Sequence, residues 1–286
     1  MDRTAPVTVS QAIRDAAIQL AATSDTARLD AEVLMAHALD ATRSELLLRH
    51  LAEPAPAAFG ALVERRMAHE PVAYITGEQE FFGLSFRVTP AVLIPRGDSE
   101  VLVERALAAR PDARRVLDCG TGSGALLLAV LANLPQAQAQ AQGIGIDRSA
   151  EALAVATSNT TTLGLATRAR MIPADWTQAG WDEGLGRFDL VLANPPYVEA
   201  EAELAPSVSA FEPAGALFAG PDGLDDYRRL VPQLTRLLAP GGVALVEIGA
   251  TQAADVTAIA GDCGFAVQVH RDLGDRPRVI ELTCDP

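Results

Sequence analysis

Val116-Leu117-Asp118-Cys119-Gly120-Thr121-Gly122-Ser123-Gly124 is an apolar run that breaks into a glycine-rich turn and then into a helical pattern. Its glycines permit positive φ and let the backbone pass close under a ligand. The helix amino terminus that follows adds a local positive potential. With Ala125 the stretch also satisfies the loose dinucleotide pattern of glycines, so this loop by itself does not choose between a nicotinamide cofactor and a phosphate-free nucleoside.

Outward from this loop the pattern alternates. Strands are predicted at 114–118, 143–146, 169–172, 188–193, 242–248, 265–270 and 278–282, and helices at 123–133, 149–163, 225–238 and 252–262. Such alternation predicts a mainly parallel seven-stranded sheet covered by helices on both faces, an α/β fold. The last two strands are close enough in sequence to pair as an antiparallel hairpin. In open sheets of this kind ligands bind beyond the carboxyl ends of the strands. Gly120 to Gly124 lie at one such end. Asp147 closes Gly143-Ile144-Gly145-Ile146, where a carboxylate can accept both hydroxyls of a ribose; the competing reading is a cap for helix 149–163. Ala174-Asp175-Trp176 ends the third strand, with a carboxylate to receive an adenine amino group and an indole to pack on its face. Asn194-Pro195-Pro196-Tyr197 ends the fourth. Two prolines cannot continue a strand, so the chain breaks there. Asn194 then offers an acceptor and a donor, and the proline carbonyls have no ladder partner. That set suits a planar, exocyclic –NH2 group.

Residues 8–75 are predicted to be helical. Ile13, Ala16, Ala17 and Leu20 share a helical face, as do Leu29, Val33, Leu34 and Ala38, then Phe59, Leu62, Val63 and Met67. Thr8 and Ser10 are the candidate caps. Arg65 and Arg66 read as a solvated face. Phe81 to Val88 is β-rich with an internal glycine and predicts a hairpin. The predicted division is a helical bundle at 1–75, a β-hairpin linker at 76–90 and a catalytic domain at 91–286. Gln136 to Gln142, an alternating Gln-Ala tract, reads as a surface loop insertion.

With 37 acidic against 23 basic residues the net charge is −14, and every basic residue is Arg. So acidic a chain argues against a broad non-specific grip on nucleic acid. Cys119, Cys263 and Cys284 form no C-x-x-C pair, and His37, His50, His69 and His270 are scattered, so neither a metal site nor a disulfide framework is expected. No signal peptide and no apolar run of about 18 residues is present. A cytoplasmic protein is the expectation.

The ordered set Pro71 to Gly77, Glu80-Phe81-Phe82-Gly83, Leu93-Ile94-Pro95-Arg96, Asp118 to Gly124, Asn194 to Tyr197, Phe211-Glu212-Pro213, Ala216 to Gly223 and Glu247-Ile248-Gly249 resembles the PrmC/HemK family. These are release-factor glutamine N5-methyltransferases with a class I S-adenosylmethionine-dependent, Rossmann-like catalytic domain behind an all-helical leader. The resemblance covers nearly the whole chain. It implies that Gly120, Thr121, Gly122, Ser123, Gly124, Asp147, Trp176 and Asn194 bind S-adenosyl-L-methionine, and that Asn194, Pro195, Pro196 and Tyr197 hold a glutamine. It further implies that class I peptide-chain release factors are the partners, docked by the helical domain, with the Gln of a Gly-Gly-Gln loop as acceptor. The family's Arg-Pro-Asp-Thr-Glu reads Arg96-Gly97-Asp98-Ser99-Glu100 here, and Gly97 loosens a turn that proline would stiffen. Ribosomal-protein glutamine methyltransferases share Asn-Pro-Pro-Tyr; the leader and the Ile-Pro-Arg segment favour the release-factor branch. An adenine-N6 DNA methyltransferase is disfavoured by the net charge and by the lack of a basic domain to flip a base. A nicotinamide dehydrogenase is disfavoured by the absence of Lys, and a catalytically dead adapter by the intact loop, Asp147 and Asn194.

Overall fold

The computed structural model describes residues 7–135 and 139–284. The chain divides into two compact units, one from Met1–Glu78 with Leu204–Phe211, the other from Gln79–Glu203 with Glu212–Pro286. The short excursion at 204–211 had no signal in the sequence.

The helical unit contains α1 (Val9–Leu20), α2 (Ala27–Ala38), α3 (Arg43–Glu45), a wide turn over Leu46–His50, α4 (Phe59–Met67) and α5 (Val72–Thr76). Thr8 caps α1 through a capping box with Gln11, whereas Ser10, the other candidate, already lies inside the helix. Val9, Ile13, Ala16 and Leu20 recur every three or four residues and are the buried stripe of α1. In α2 the buried face differs from the one predicted: Leu29 is 43% exposed, and Asp30, Ala31, Leu34 and Met35 point inward. The reason is a charge that apolar periodicity cannot see. Asp30 accepts from the Ser24 hydroxyl at 2.7 Å and the Thr26 hydroxyl at 2.8 Å. It also pairs with Arg66 of α4 at 2.7 Å, and a carboxylate so satisfied can be buried. Arg66 therefore corrects the solvated-face reading, its side chain being only 12% exposed. Met67 is likewise exposed, so the α4 stripe reduces to Phe59 and Val63.

The α/β unit opens on a hairpin, β1 (Glu78–Phe81) and β2 (Leu84–Arg87). Phe82 and Gly83 both take positive φ (52° and 73°), the requirement of a two-residue I′ turn. After α6 (Glu100–Ala109) come β3 (Arg115–Cys119), α7 (Ala125–Asn133), β4 (Gln142–Asp147), α8 (Ala150–Thr162), β5 (Ala169–Pro173) and β6 (Phe188–Ala193). A single turn, α9 (Pro206–Ser209), lies in the 204–211 segment, which belongs to the helical unit. The α/β unit ends with α10 (Asp225–Leu237), β7 (Leu238–Glu247), α11 (Ala253–Asp262), β8 (Phe265–Arg271) and β9 (Pro277–Cys284). The strands order as β5-β4-β3-β6-β7-β9-β8. The first five are parallel; β9 inserts antiparallel between β7 and β8. This is the seven-stranded Rossmann-like sheet. β7 begins four residues before its prediction because Leu238 pairs with Phe188 across a bulge.

Both faces of the sheet are covered, so neighbouring residues of β3 enter different cores. Val116 joins one with α6, α7 and Phe81 and Phe86 of the hairpin, and Leu117 the other with α10 and α11. The chain reverses its direction of travel at β3, between β4 and β6, and such a switch point is where a ligand crevice opens. Of the Gln-Ala tract, residues 136–138 lie outside the described residues, and Gln142 is not loop but the first residue of β4. No helix among the described residues is long and apolar enough to cross a membrane.

Candidate active site

Gly120, Gly122 and Gly124 take φ of 76°, 54° and 84° after β3. At Gly120 a side chain is excluded twice, since a Cβ would also fall 2.9 Å from the ring of Trp176. The loop is pinned to β4. The N–H groups of Gly120 and Thr121 both donate to the Ile146 carbonyl, at 2.9 and 2.8 Å. Gly122 N–H donates to Asp147 Oδ2 at 3.0 Å, and Ser149 N–H to Asp147 Oδ1 at 2.9 Å. Capping of α8 falls to Ser149, whose hydroxyl accepts from Ala152 N–H, and not to Asp147. Each Asp147 oxygen thus keeps acceptor capacity for a guest hydroxyl.

Beneath the loop, Asp118 is buried. Its Oδ2 accepts from the Thr121 hydroxyl at 2.7 Å, while Oδ1 has no partner among the described residues. Burial pushes its pKa up to about 7, with the neighbouring charge of Asp147 adding to the effect. Asn159 of α8, also buried, donates to the Ser123 carbonyl at 2.8 Å and exchanges two bonds with the backbone of Arg87. It ties the glycine loop to the hairpin, a role the sequence did not advertise.

Ala193 of β6 pairs with Cys119 of β3, so Asn194 leaves its strand beside Gly120. One cavity is lined by Gly120, Thr121, Gly122, Ser123, Asp147, Asp175, Trp176, Asn194 and Pro196. The side-chain amide of Asn194 makes no hydrogen bond to a described residue, and no described backbone N–H donates to the carbonyls of Asn194 or Pro195. Three of the residues singled out in the sequence are not in the lining. Gly124 turns the chain into α7, Pro195 is buried, and Tyr197 turns toward Glu247. Glu247 is buried beside Ser99 and Tyr197; burial moves its pKa up to about 7 and that of the Tyr197 phenol up to about 12. Gln252 fixes the other end of Tyr197, donating to its carbonyl at 3.0 Å. Tyr197 is therefore a strut for the Asn-Pro-Pro turn. Leu93, from the Leu-Ile-Pro-Arg segment, is in the lining and gives it an apolar wall.

Asp175 is partly committed: its Oδ1 accepts from Thr177 N–H at 2.9 Å and from the Thr177 hydroxyl at 2.8 Å. Trp176 donates from Nε1 to Asp226 Oδ1 at 3.1 Å. Opposite, the buried Glu212 carboxylate receives Arg96 and the Ile94 N–H, joining two wall segments, Leu93 to Arg96 and Pro213 to Ala216. Asn159 and Asp226 lay outside every motif quoted from the sequence. A carboxylate closing the apolar run Val243 to Val246 was the available signal for Glu247.

A glycine loop, an acidic residue after the next strand and an Asn-Pro-Pro turn around one crevice define a methyltransferase of the Rossmann-like class. A family model described as "Methyltransferase domain" matches residues 111–264, and one described as "PrmC N-terminal domain" matches residues 11–77. The release factor glutamine methyltransferase of Moorella thermoacetica is 43% identical over 281 residues, spanning 95% of this chain and 97% of the relative. That of Cereibacter sphaeroides is 43% identical over 279 residues, 95% and 96% of the two chains. That of Caulobacter vibrioides is 41% identical over 266 residues, 90% and 89%. The chain belongs to the release factor glutamine methyltransferase family.

S-adenosylmethionine is the cofactor of this class, and the residues fit it. The positive-φ glycines leave backbone where side chains would obstruct. The Asp147 carboxylate faces the cavity, which holds about 1140 Å³ of empty space including its mouth.

Proposed function

We propose that this protein transfers a methyl group to the side-chain amide nitrogen of the glutamine in the Gly-Gly-Gln loop of class I peptide-chain release factors, in the cytoplasm. The observation that carries this reading is Asn194. Its amide is unengaged and opens into the same cavity as the glycine loop and Asp147.

S-adenosylmethionine, when bound, would supply a methyl group activated on its sulfonium, with the neutral thioether as leaving group. Gly120 to Ser123, Asp147, Asp175 and Trp176 seat that donor. A carboxamide nitrogen is a poor nucleophile because its lone pair is delocalised into the carbonyl. Asn194 Oδ1 accepts one of its N–H groups and aims the nitrogen along the line of displacement. Asn194 Nδ2 donates to a guest oxygen. Leu93 and Pro196 exclude water. The alkylated nitrogen is strongly acidic and gives its proton to an adjacent carbonyl or to water, so no histidine base is needed. Positioning of this kind accounts for effective molarities up to ~10⁵–10⁸ M.

Asn194→Ala is the test. Turnover on a release factor is expected to drop roughly 10²-fold or more, as on loss of an orienting polar group, with the fold intact by circular dichroism. Near-normal turnover would remove Asn194 from the role. The helical unit is assigned to docking of the substrate protein. Substituting its exposed Ile18 and Leu48 (75% and 82% exposed) by Ser should raise the release-factor KM and leave cofactor affinity unchanged. An unaltered KM would take docking away from that surface.

A further inference from the structure

Asp225 and Asp226 open α10, and as a sequence they read alike, as two acids complementing the positive end of a helix. The structure separates them. Asp225 is a surface residue within 3.4 Å of Arg228. Asp226 is 9% exposed and lines the cofactor cavity.

The two oxygens of Asp226 differ in the same way. Oδ1 accepts from Trp176 Nε1 at 3.1 Å. Trp176 is also held through its carbonyl, which accepts from Gln233 Nε2 of the same helix at 3.0 Å. Its ring lies against Gly120, where no Cβ fits. Oδ2 receives no hydrogen bond, and neither Arg nor His forms an ion pair with Asp226, among the described residues. A carboxylate in such a place gains from a cation, and the helix terminus offers only about half a charge. Asp226 faces the cavity as one of its lining residues.

S-adenosylmethionine carries two positive charges, the sulfonium and the α-ammonium. The ammonium alone has N–H donors to match a carboxylate oxygen. The layout of the cavity distinguishes its ends as well. Asp147 binds the Gly122 end of the loop, and the Asp226–Trp176 pair sits at the Gly120 end, next to the strand that delivers Asn194. With the ribose at Asp147, the amino-acid end of the donor extends toward Gly120, so that Trp176 lies beside that end and not on the adenine face expected from the sequence.

We propose that Asp226 is a cofactor-binding residue: its Oδ2 receives the α-ammonium of S-adenosylmethionine while its Oδ1 holds Trp176 against the glycine loop. This rests on reading the cavity as the cofactor site.

The test uses the full chain, calorimetry and intrinsic fluorescence, with three ligands. S-adenosylmethionine has both charges, S-adenosylhomocysteine only the ammonium, and 5′-methylthioadenosine neither. Asp226→Asn keeps an acceptor for Trp176 and removes the charge. The Kd of both ammonium-bearing ligands should rise together, roughly 10–100-fold, the scale of hydrogen bonds to charged groups, with that of 5′-methylthioadenosine unchanged. Equal weakening of all three would overturn the ammonium contact, as would weakening of S-adenosylmethionine alone or of none. In ligand-free protein, Asp226→Ala should shift tryptophan emission and Asp226→Asn should not; unshifted emission in Asp226→Ala would overturn the anchoring of Trp176. Failure of the wild type to bind any of the three would instead overturn the assignment of the cavity.

Discussion

In the helical unit Asp30 and Glu32 are buried, and arginines reach both: Arg66 the first, Arg28 and Arg43 the second. In the α/β unit Asp118 and Glu247 are buried too, yet Asp118 Oδ1 and Glu247 Oε2 have no partner among the described residues. The first pair belongs to architecture, since charge met by charge fixes which face of α2 packs inward. The second pair sits directly behind the cavity, Asp118 bonded to Thr121 and Glu247 beside Ser99, both of which line it. The Asp30 and Glu32 pairs specify packing, whereas Asp118 and Glu247 sustain the shape of a site.

The contrast breaks most visibly at Arg66. Arg66→Ala would strand the Asp30 carboxylate, and about 3 kcal/mol of stability should be lost, the low end for a broken buried pair because the Ser24 and Thr26 hydroxyls remain. Denaturant unfolding should show that loss with unchanged affinity for S-adenosylmethionine; a coupled loss of cofactor binding would contradict the division of roles.

Next in size comes pH. Asp118 and Glu247 have folded-state pKa values raised to about 7, so the folded chain keeps their protons where the unfolded chain has released them. Their stabilising contribution is complete below the ordinary carboxylate range and is lost as pH rises through about 7. Each accounts for on the order of 3 kcal/mol. Glu32 and Asp182, lowered in the fold, act in the opposite sense and lose their contribution as pH falls below about 4. Tm should therefore decline between pH 5 and 8, and Glu247→Gln should flatten the decline. A Tm that rises over that window would refute the assignment.

A smaller effect is expected at Gly120→Ala, which combines positive φ with a contact on Trp176. Cofactor Kd should rise roughly tenfold, ~1.4 kcal/mol, while Arg66→Ala leaves it alone. Smallest is Gly97→Pro. A Cβ there meets nothing within 4 Å, and Arg96 already has the extended backbone a following proline prefers. Stability should increase by about 0.4–1 kcal/mol; a lower Tm would show strain in that turn.

The sheet was legible because a strand buried on both faces is a continuous apolar run, and its glycine and proline breaks fall at the strand ends where a crevice opens. The same logic located Gly120, Asp147 and Asn194. Periodicity failed where polar groups were buried in pairs, as with Asp30 and Arg66, because partners far apart in sequence leave no local trace. It failed again for Asp226 and Asn159, whose surroundings depend on which helix start or helix face meets the loop. Tyr197 was identified for its motif, whereas its neighbour Glu247 comes 50 positions later in the chain and left no local trace beside it.

The most direct measurement is transfer of labelled methyl from S-adenosylmethionine to purified release factor, ribosomal protein and DNA in parallel, with mass mapping of the product. A single methyl on the glutamine of the release factor's Gly-Gly-Gln loop, lost in Asn194→Ala, is the predicted result. Label in DNA or on another residue, or in the release factor irrespective of Asn194, would contradict the account.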